Sequence, residues 1–276
     1  MQADRLKRTA RFPRLRARLI ALAGWLCCAL AMVAAAQDAQ PVGVDPWAVY
    51  EAAWFDTVGV ADGLPHSTTT AIVQDSRGLI WIGTFGGLVR YDGYRMQVFG
   101  QEPDSYAGAV LPDSYVRALM PLPDGGLLIG TNAGGLVRFD PVSMRFHVYP
   151  VGPGGTSNGK IFAIARARQP GVFWIATESG VDRLELASGR ITRESMQPGD
   201  AKDMVARTFV VSEDKTGNLW AGTDNGLFVR RTGGHFVRVR SQDPKVDEIL
   251  HDQVWALLQG SHDRLWVGTG QSGAIY

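Results

Sequence analysis

Leu79-Ile80-Trp81-Ile82-Gly83-Thr84 is a short apolar phrase that returns in close copies along the chain. The threonines that end the five copies are spaced 47, 46, 46 and 46 residues apart. A fixed period of this length indicates a repeat architecture, in which each copy belongs to one supersecondary unit that stacks on its neighbours. The other copies cover residues 127–131, 173–177, 219–223 and 265–269.

Each phrase lies within a longer unit of four short segments. Gly, Asp or Pro bounds every segment, and the segments are too short for helices and rich in β-branched and aromatic residues. Turns such as Asp75-Ser76-Arg77-Gly78 open with Asp and close with Gly, which is the pattern of a type I turn. The sequence therefore predicts four β-strands in every unit.

The strand that carries the phrase is apolar on both faces. Leu79 and Trp81 point to one side of it, and Ile80 and Ile82 point to the other. Such a strand must be covered on both sides, and four-stranded sheets packed face to face around an axis supply that cover. We predict an all-β propeller of about five blades in an incomplete ring, with the recurring Trp between neighbouring blades. The units are expected at about residues 66–99, 114–149, 159–193, 206–239 and 252–276.

The first 36 residues have the order of an export signal. Seven basic residues precede an apolar run from Leu19 to Val33, and Ala34-Ala35-Ala36 follows it. We predict a helical signal peptide that is cleaved after Ala36, with an uncleaved signal anchor as the alternative. Residues 37–52 are predicted to be a linker and residues 53–276 the propeller.

The composition of the exported part excludes several function classes. After residue 36 the chain has 21 basic and 26 acidic residues, so a nucleic-acid partner is not expected. Cys27 and Cys28, the only cysteines, both lie in the apolar run. The exported part therefore has no disulfide and no thiolate metal site. The histidines show no paired metal spacing, and no metal is predicted.

Two stretches imitate nucleotide sites. Residues 268–273 spell G-x-G-x-x-G, but they are the fifth copy of the strand and turn, whereas a dinucleotide site requires a helix there. Residues 154–160 imitate a phosphate-binding loop, but Ile161 follows where Ser or Thr would hold magnesium. Asp75 and Asp214 recur with their turns and are interpreted as turn caps. The sequence predicts no catalytic residue and no cofactor.

The repeats favour ligand binding at one rim of the propeller. If the first strand of each unit is innermost, the linkers that enter it and the turns after the recurring Thr lie at the same edge. The side chains at these positions differ from unit to unit, whereas the residues that build the turns recur. Variable side chains on a rigid scaffold suit a recognition surface. The candidate ligand-binding residues are His66, Asp113, Tyr115, Lys160, Arg207 and His251 from the linkers, and Phe85, Asn132, Glu178, Asp224 and Gln271 from the turns.

These motifs together resemble the two-component regulator propeller repeat, over roughly residues 50–276. The chain departs from the pattern at Leu128, which replaces Trp, and at Ala176, which replaces Gly. The residues that carry the resemblance are Gly63-Leu64-Pro65-His66-Ser67, the turn at 75–78, the phrase at 79–84 and Gly87-Leu88-Val89-Arg90-Tyr91-Asp92.

The resemblance implies the periplasmic sensor of a bacterial receptor held in the inner membrane by segments outside this chain. It also implies a small extracytoplasmic ligand, with carbohydrate as a suggested class, a homodimeric receptor, and a histidine kinase or diguanylate cyclase as output beyond these residues. Two alternatives stay open: a secreted propeller enzyme such as a lyase or glycosidase, and a stand-alone binding module.

Overall fold

The computed structural model describes residues 56–100, 110–194, 207–262 and 264–276. The predicted signal at 1–36 and linker at 37–52 lie outside these residues. Chain contacts divide the protein into Met1–Thr57 and Val58–Tyr276, and all the sheets belong to the second unit. No helix in the described part of the chain has both the length and the apolar character needed to cross a membrane.

Five antiparallel sheets follow one another along the described chain, and the strands of each sheet pair in chain order. Four sheets have four strands and the last has three, and the sheets do not close into a ring. The predicted all-β architecture of four-stranded blades is therefore confirmed. The strands are β1(Thr69–Gln74), β2(Ile80–Thr84), β3(Leu88–Tyr91) and β4(Met96–Phe99) in blade 1; β5(Val116–Pro121), β6(Leu127–Thr131), β7(Leu136–Asp140) and β8(Arg145–Val148) in blade 2; β9(Ile161–Arg166), β10(Val172–Thr177), β11(Gly180–Glu185) and β12(Arg190–Glu194) in blade 3; β13(Thr208–Glu213), β14(Leu219–Thr223), β15(Gly226–Arg230) and β16(Phe236–Arg238) in blade 4; and β17(Val254–Gln259), β18(Leu265–Thr269) and β19(Ala274–Ile275) in blade 5.

The first strand of each blade is innermost. It contacts the first strand of the next blade throughout the series from β1 to β17, and it also contacts the second strand of the preceding blade. The recurring Gly makes this second contact possible: a Cβ on Gly130 would lie 2.6 Å from Cγ2 of Ile161 in the next blade. Gly83 and Gly222 have the same relation to Val116 and Val254. The glycine thus provides the space into which the following blade packs.

Trp81 lies between two blades, as the sequence predicted. It is fully buried, and its ring centroid lies 5.8 Å from that of Phe99 in its own blade and 5.1 Å from that of Phe139 in blade 2. Its Nε1 donates to Oδ2 of Asp75 at 3.0 Å. Burial raises the pKa of Asp75, but hydrogen bonds from Trp81 and from Arg77 and Leu79 outweigh it and lower the pKa overall. The Asp of the turn therefore fixes the Trp six residues later.

Two helical elements of the described residues were not predicted from the sequence: a short 3-10 helix, Val60–Asp62, and one α-helix. Helix α1 (Pro244–His251) connects blade 4 to blade 5. The side chain of Asp243 accepts a hydrogen bond from the Lys245 amide at its N-terminus, and Pro lies in its first turn. Its Leu250 is buried and belongs to the same apolar cluster as Leu227 of β15. The Asp243 cap and the Pro of the first turn are local helix signals that the sequence contains. They were not used because the segments on either side follow the pattern of strands.

Asp182 is a fully buried carboxylate at a core position. Blades 1, 2 and 4 place Val89, Val137 and Phe228 at the equivalent site of their third strands. Oδ2 of Asp182 accepts a hydrogen bond from the Ser157 amide at 2.7 Å, and Oδ1 has no protein partner. Burial raises the pKa of Asp182, and the hydrogen bonds from Ser157 only partly offset it.

We expect Asp182→Asn to change how the stability of the chain depends on pH. The folded pKa is above the unfolded value, so the folded chain holds this proton more tightly and the natural carboxyl destabilises the fold increasingly as the pH rises. The free energy of unfolding of the Asn variant, relative to the natural chain, should therefore increase from about pH 4 to about pH 8. Denaturant titrations across this range measure it. Asp224→Asn, at an exposed carboxyl, is the control, and parallel curves for Asp182→Asn and the natural chain would contradict the prediction.

Candidate ligand-binding rim

The recurring Thr builds the turn between the second and third strands of each blade. Its buried or half-buried hydroxyl donates to the carbonyl of the glycine that ends the turn: Thr84 to Gly87 at 2.8 Å, and Thr177 to Gly180 at 3.0 Å. Thr131, Thr223 and Thr269 make the same bond. The turn is therefore held by the Thr, and the residue immediately after it is free to vary.

A second recurring hydrogen bond joins this turn to the linker that enters the first strand. In every blade, the amide of the residue after the Thr donates to the carbonyl of the residue before the first strand, at 2.8–3.3 Å. The two loop sets thus lie at one edge, which is the arrangement that makes a shared surface possible. We call these residues the rim: Thr68, Tyr115, Lys160, Arg207 and Gln253 from the linkers, and Phe85, Asn132, Glu178, Asp224 and Gly270 from the turns.

Aromatic contacts join the first two blades at the rim. The ring of Phe85 lies 4.0 Å from that of Tyr115, centroid to centroid, and the His66 ring lies 5.4 Å from Phe85. The guanidinium of Arg117 lies 4.3 Å from the centre of the Tyr115 ring, and its Nε donates to Oδ1 of Asn132 at 2.9 Å. The predicted candidates His66, Phe85, Tyr115 and Asn132 therefore form one connected group with Arg117, which was not predicted.

An ionic group joins blades 3 and 4. Lys160 Nζ lies 2.9 Å from Oε1 of Glu178, and Arg207 Nη2 lies 3.3 Å from the same oxygen. The hydrogen bond from Lys160, and the positive charges of Lys160, Arg207 and Arg117, lower the pKa of Glu178 against the opposing effect of burial. The carboxylate is therefore ionised at neutral pH. Asp224, in the next turn, is exposed.

Other candidates are occupied in shaping the linkers. His66 Nδ1 and Asp113 Oδ1 each accept the amide two residues ahead, that of Thr68 at 2.9 Å and that of Tyr115 at 3.0 Å. Asp113 Oδ2 also accepts the Ala133 amide at 2.6 Å. These side chains hold the entry loops of blades 1 and 2 in place, a local turn role that the sequence spacing could have indicated.

The fifth blade places its candidates differently. His251 ends helix α1, and its ring contacts the Asp247 carbonyl and the Arg240 side chain. Gln271 is one residue beyond the rim position, which is Gly270. Its amide donates to Asp252 at 2.9 Å, and the backbone hydrogen bonds from Gln271 and Ser272 lower the pKa of Asp252 to about 2.

Sequence reasoning missed a row of residues on the inner strands. In each blade the pairing of the first and second strands shifts by one residue, so that the second residue of the first strand is bulged out of the ladder. Its equivalents lie side by side around the axis. They are Thr70, Arg117, Phe162, Phe209 and Trp255.

The bulged residues of blades 2 to 5 contact one another in series. The Arg117 guanidinium lies 5.1 Å from the centre of the Phe162 ring, and Phe162 meets Phe209 edge to face at 5.2 Å. Phe209 is buried and stacks on Trp255 at 3.7 Å. Trp255 is 50% exposed, and a Cβ on Gly270 would lie 3.0 Å from its Nε1, so the rim glycine leaves space for the indole.

The two stretches that resemble nucleotide sites are followed by strands or turns of the repeat and not by helices. Strand β9 begins at Ile161, directly after the Gly-rich stretch at 154–160, and residues 268–273 run from the end of β18 into a turn. No group of three or more His, Cys, Asp or Glu side chains placed to hold a metal is found among the described residues.

Comparisons with known proteins agree with the fold. The extracellular domain assigned to a hybrid two-component system of B. thetaiotaomicron matches with 19% identity and a TM-score of 0.61, over 79% of this chain and 34% of that one. The extracellular domain of a one-component system of the same organism matches with 20% identity and a TM-score of 0.61, over 75% of this chain and 27% of that one. A virginiamycin B lyase from Staphylococcus aureus matches with 15% identity and a TM-score of 0.54, over 74% of this chain and 64% of that one.

At these identities the likeness concerns the fold, and the chain spans only 34% and 27% of the length of the two B. thetaiotaomicron domains. None of the curated proteins matches the chain. The family model for the two component regulator propeller matches residues 63–86 and 248–271, in the first and last of the predicted units. Two segments of the chain thus match the two component regulator propeller repeat that the motifs of its sequence resemble.

Proposed function

We propose that this chain is the ligand-sensing part of a bacterial transmembrane receptor and that the rim, with the bulged residues beside it, is the surface that binds the ligand. The observation that carries the proposal is the series of rings around the inner strands, from Phe85 and Tyr115 through Arg117 to Phe162, Phe209 and Trp255. This row of aromatic rings, interrupted by the Arg117 guanidinium, offers flat apolar faces beside polar groups, which is the usual composition of a ligand site.

The repeat explains why this surface suits sensing. Thr, Gly and backbone hydrogen bonds fix the frame in every blade, whereas the side chains presented differ from blade to blade. Binding residues on loops held by a rigid scaffold are the usual arrangement for recognition. A ligand that spans several blades would also bias how those blades pack, which is how binding outside the cytoplasm could reach an output domain.

The receptor context forms part of this proposal. The predicted export signal and the extracellular fold relatives support a periplasmic location and an anchor in the inner membrane. We assign the output to a histidine kinase or diguanylate cyclase, acting in a homodimer. The reading frame downstream of Tyr276 tests this: an apolar span followed by such a module supports it. A stop codon there would instead favour a secreted enzyme or a stand-alone binding module.

The ligand surface is tested with Trp255→Ala. We expect at least one compound from a panel of oligosaccharides, amino acids and small organic acids to raise the melting temperature of the natural chain. The Ala variant should lose that shift, because the exposed indole is the accessible end of the ring series. Trp266→Ala, which removes another partly exposed indole of blade 5 away from the rim, should keep it. A shift retained in Trp255→Ala, or no shift with any compound, would argue against the surface.

A further inference from the structure

The charges of the rim suggest which ligand chemistry it takes. We propose that the ligand carries a carboxylate attached to a ring, and that the Glu178 side chain occupies the carboxylate position while the ligand is absent. This inference rests on the proposed ligand surface and adds to it the chemical class of the ligand and the means by which the empty site is kept in shape.

Cationic side chains from three blades act on the Glu178 carboxylate. Lys160 and Arg207, which enter blades 3 and 4, both contact Oε1 of Glu178, at 2.9 and 3.3 Å. Arg117 of blade 2 adds its charge, which lowers the pKa of Glu178 further. Basic side chains thus gather around one carboxylate in an exported chain that is acidic on balance. Cations brought together from separate repeats are costly to assemble unless an anion neutralises them.

The ion pairs of Glu178 with Lys160 and Arg207 are accessible to a competing carboxylate. The side chains of Lys160, Glu178 and Arg207 are 29%, 30% and 46% exposed. Ion pairs with this much access to water contribute little to folding, so exchanging one carboxylate for another costs the fold little. Glu178 lies in a turn in which the Thr177 hydroxyl donates to the Gly180 carbonyl and accepts from the Ser179 amide, and this frame does not need the Glu side chain.

Aromatic rings lie beside these charged side chains. Arg117 lies between the rings of Tyr115 and Phe162, at 4.3 and 5.1 Å from their centres. Arg207 is two residues before Phe209 on the same segment, and Phe209 stacks on the half-exposed Trp255. A ligand ring can therefore stack on the aromatic series while its carboxylate reaches Lys160 or Arg207. A ligand with a ring but no carboxylate would contact the aromatic side chains and leave Lys160 and Arg207 paired with Glu178.

Benzoate and benzamide are matched probes, because they share a shape and differ in charge. With the full chain, we expect benzoate to bind by calorimetric or NMR titration at least about tenfold more tightly than benzamide, and to weaken as salt is raised. Glu178→Gln removes the internal competitor and should tighten benzoate binding about threefold or more, with benzamide unchanged. Lys160→Met should weaken benzoate selectively.

The control is Glu185→Gln. Glu185 also pairs with two arginines, Arg183 and Arg190, but at the opposite end of β11 from the rim turn, so benzoate binding should not change. Equal binding of the two probes, no binding of either, or weaker benzoate binding in Glu178→Gln would overturn the inference. A panel compound whose effect still depends on Trp255 would then leave the ligand surface standing, so the two proposals fail separately.

Discussion

Trp81→Ala is expected to lower the free energy of unfolding by about 3–5 kcal/mol, the range for deleting a large buried aromatic side chain. Trp81 is fully buried between Phe99 and Phe139, so its loss opens a cavity at the interface of blades 1 and 2. It also removes the donor to Asp75, whose side chain is completely buried. Chemical denaturation of the full chain, with an unchanged dependence on denaturant, measures the loss.

Trp266→Ala is the matched control for this substitution. Trp266 holds the same position of the repeat in blade 5, but it is 41% exposed and its ring contacts Tyr276 at 4.6 Å. Its removal leaves no enclosed cavity, and the expected loss is about 1 kcal/mol or less. If both substitutions cost the same, the recurring Trp would be stabilising the second strand within its own sheet and not the interface between blades.

Gly222→Ala is expected to cost about 1–3 kcal/mol, the usual range for overpacking a core. A Cβ at this position would lie 2.6 Å from Cγ1 of Val254 and 2.7 Å from Cγ1 of Val210, and 2.7 Å from the Val254 carbonyl oxygen. The added methyl group therefore meets the next blade and its own blade at once, and the backbone oxygen cannot move aside without breaking the contact between β14 and β17. Thermal and urea unfolding measure the effect.

The same substitution at Gly268 should change stability by no more than about 0.5 kcal/mol. Gly268 is the equivalent glycine of blade 5, and the nearest atom to its Cβ would be the Ala256 Cβ of its own sheet, at 3.2 Å. Ala lowers the conformational entropy of the unfolded chain relative to Gly, and this stabilising effect offsets part of the cost of the tighter contact. A large loss at Gly268 with a small one at Gly222 would show that the recurring glycine serves the turn and not the stacking of blades.

Sequence reasoning succeeded where the interaction is local. The turn that opens with Asp and the turn that follows the recurring Thr lie where the sequence predicted them. The structure adds the hydrogen bond from the Trp to that Asp six residues earlier, and the hydrogen bond from the Thr hydroxyl to a nearby glycine. Such contacts recur with fixed spacing and are visible in any repeat. The turn after the recurring Thr could be located from the same fixed spacing. Sequence reasoning therefore placed Phe85, Asn132, Glu178 and Asp224 directly after the Thr of each turn, where the structure has them.

Sequence reasoning failed where the outcome depends on strand pairing. Arg117, Phe162 and Trp255 read as ordinary residues of alternating strands, and only the one-residue shift in pairing brings them out of the ladder and next to one another. A comparison of the second residue of each first strand would have shown that three of the five are aromatic. It would not have shown on which side of the sheet these side chains lie. His66 and Asp113 stay predicted ligand-binding residues, and the structure adds that the ring nitrogen of His66 and the carboxylate of Asp113 hold the linker backbone.

By itself the sequence determined the period of 46–47 residues, the four strands of each unit, the two turns and the buried Trp, because these depend on residues close together in the chain. The tertiary structure alone decided which side chains meet across blades: the shared Glu178 oxygen, the ring series that ends at Trp255, and the glycines that admit the next blade. These contacts join residues that are far apart in one repeat or that belong to neighbouring repeats, and their geometry is set by how the sheets stack around the axis and not by any local preference of the chain.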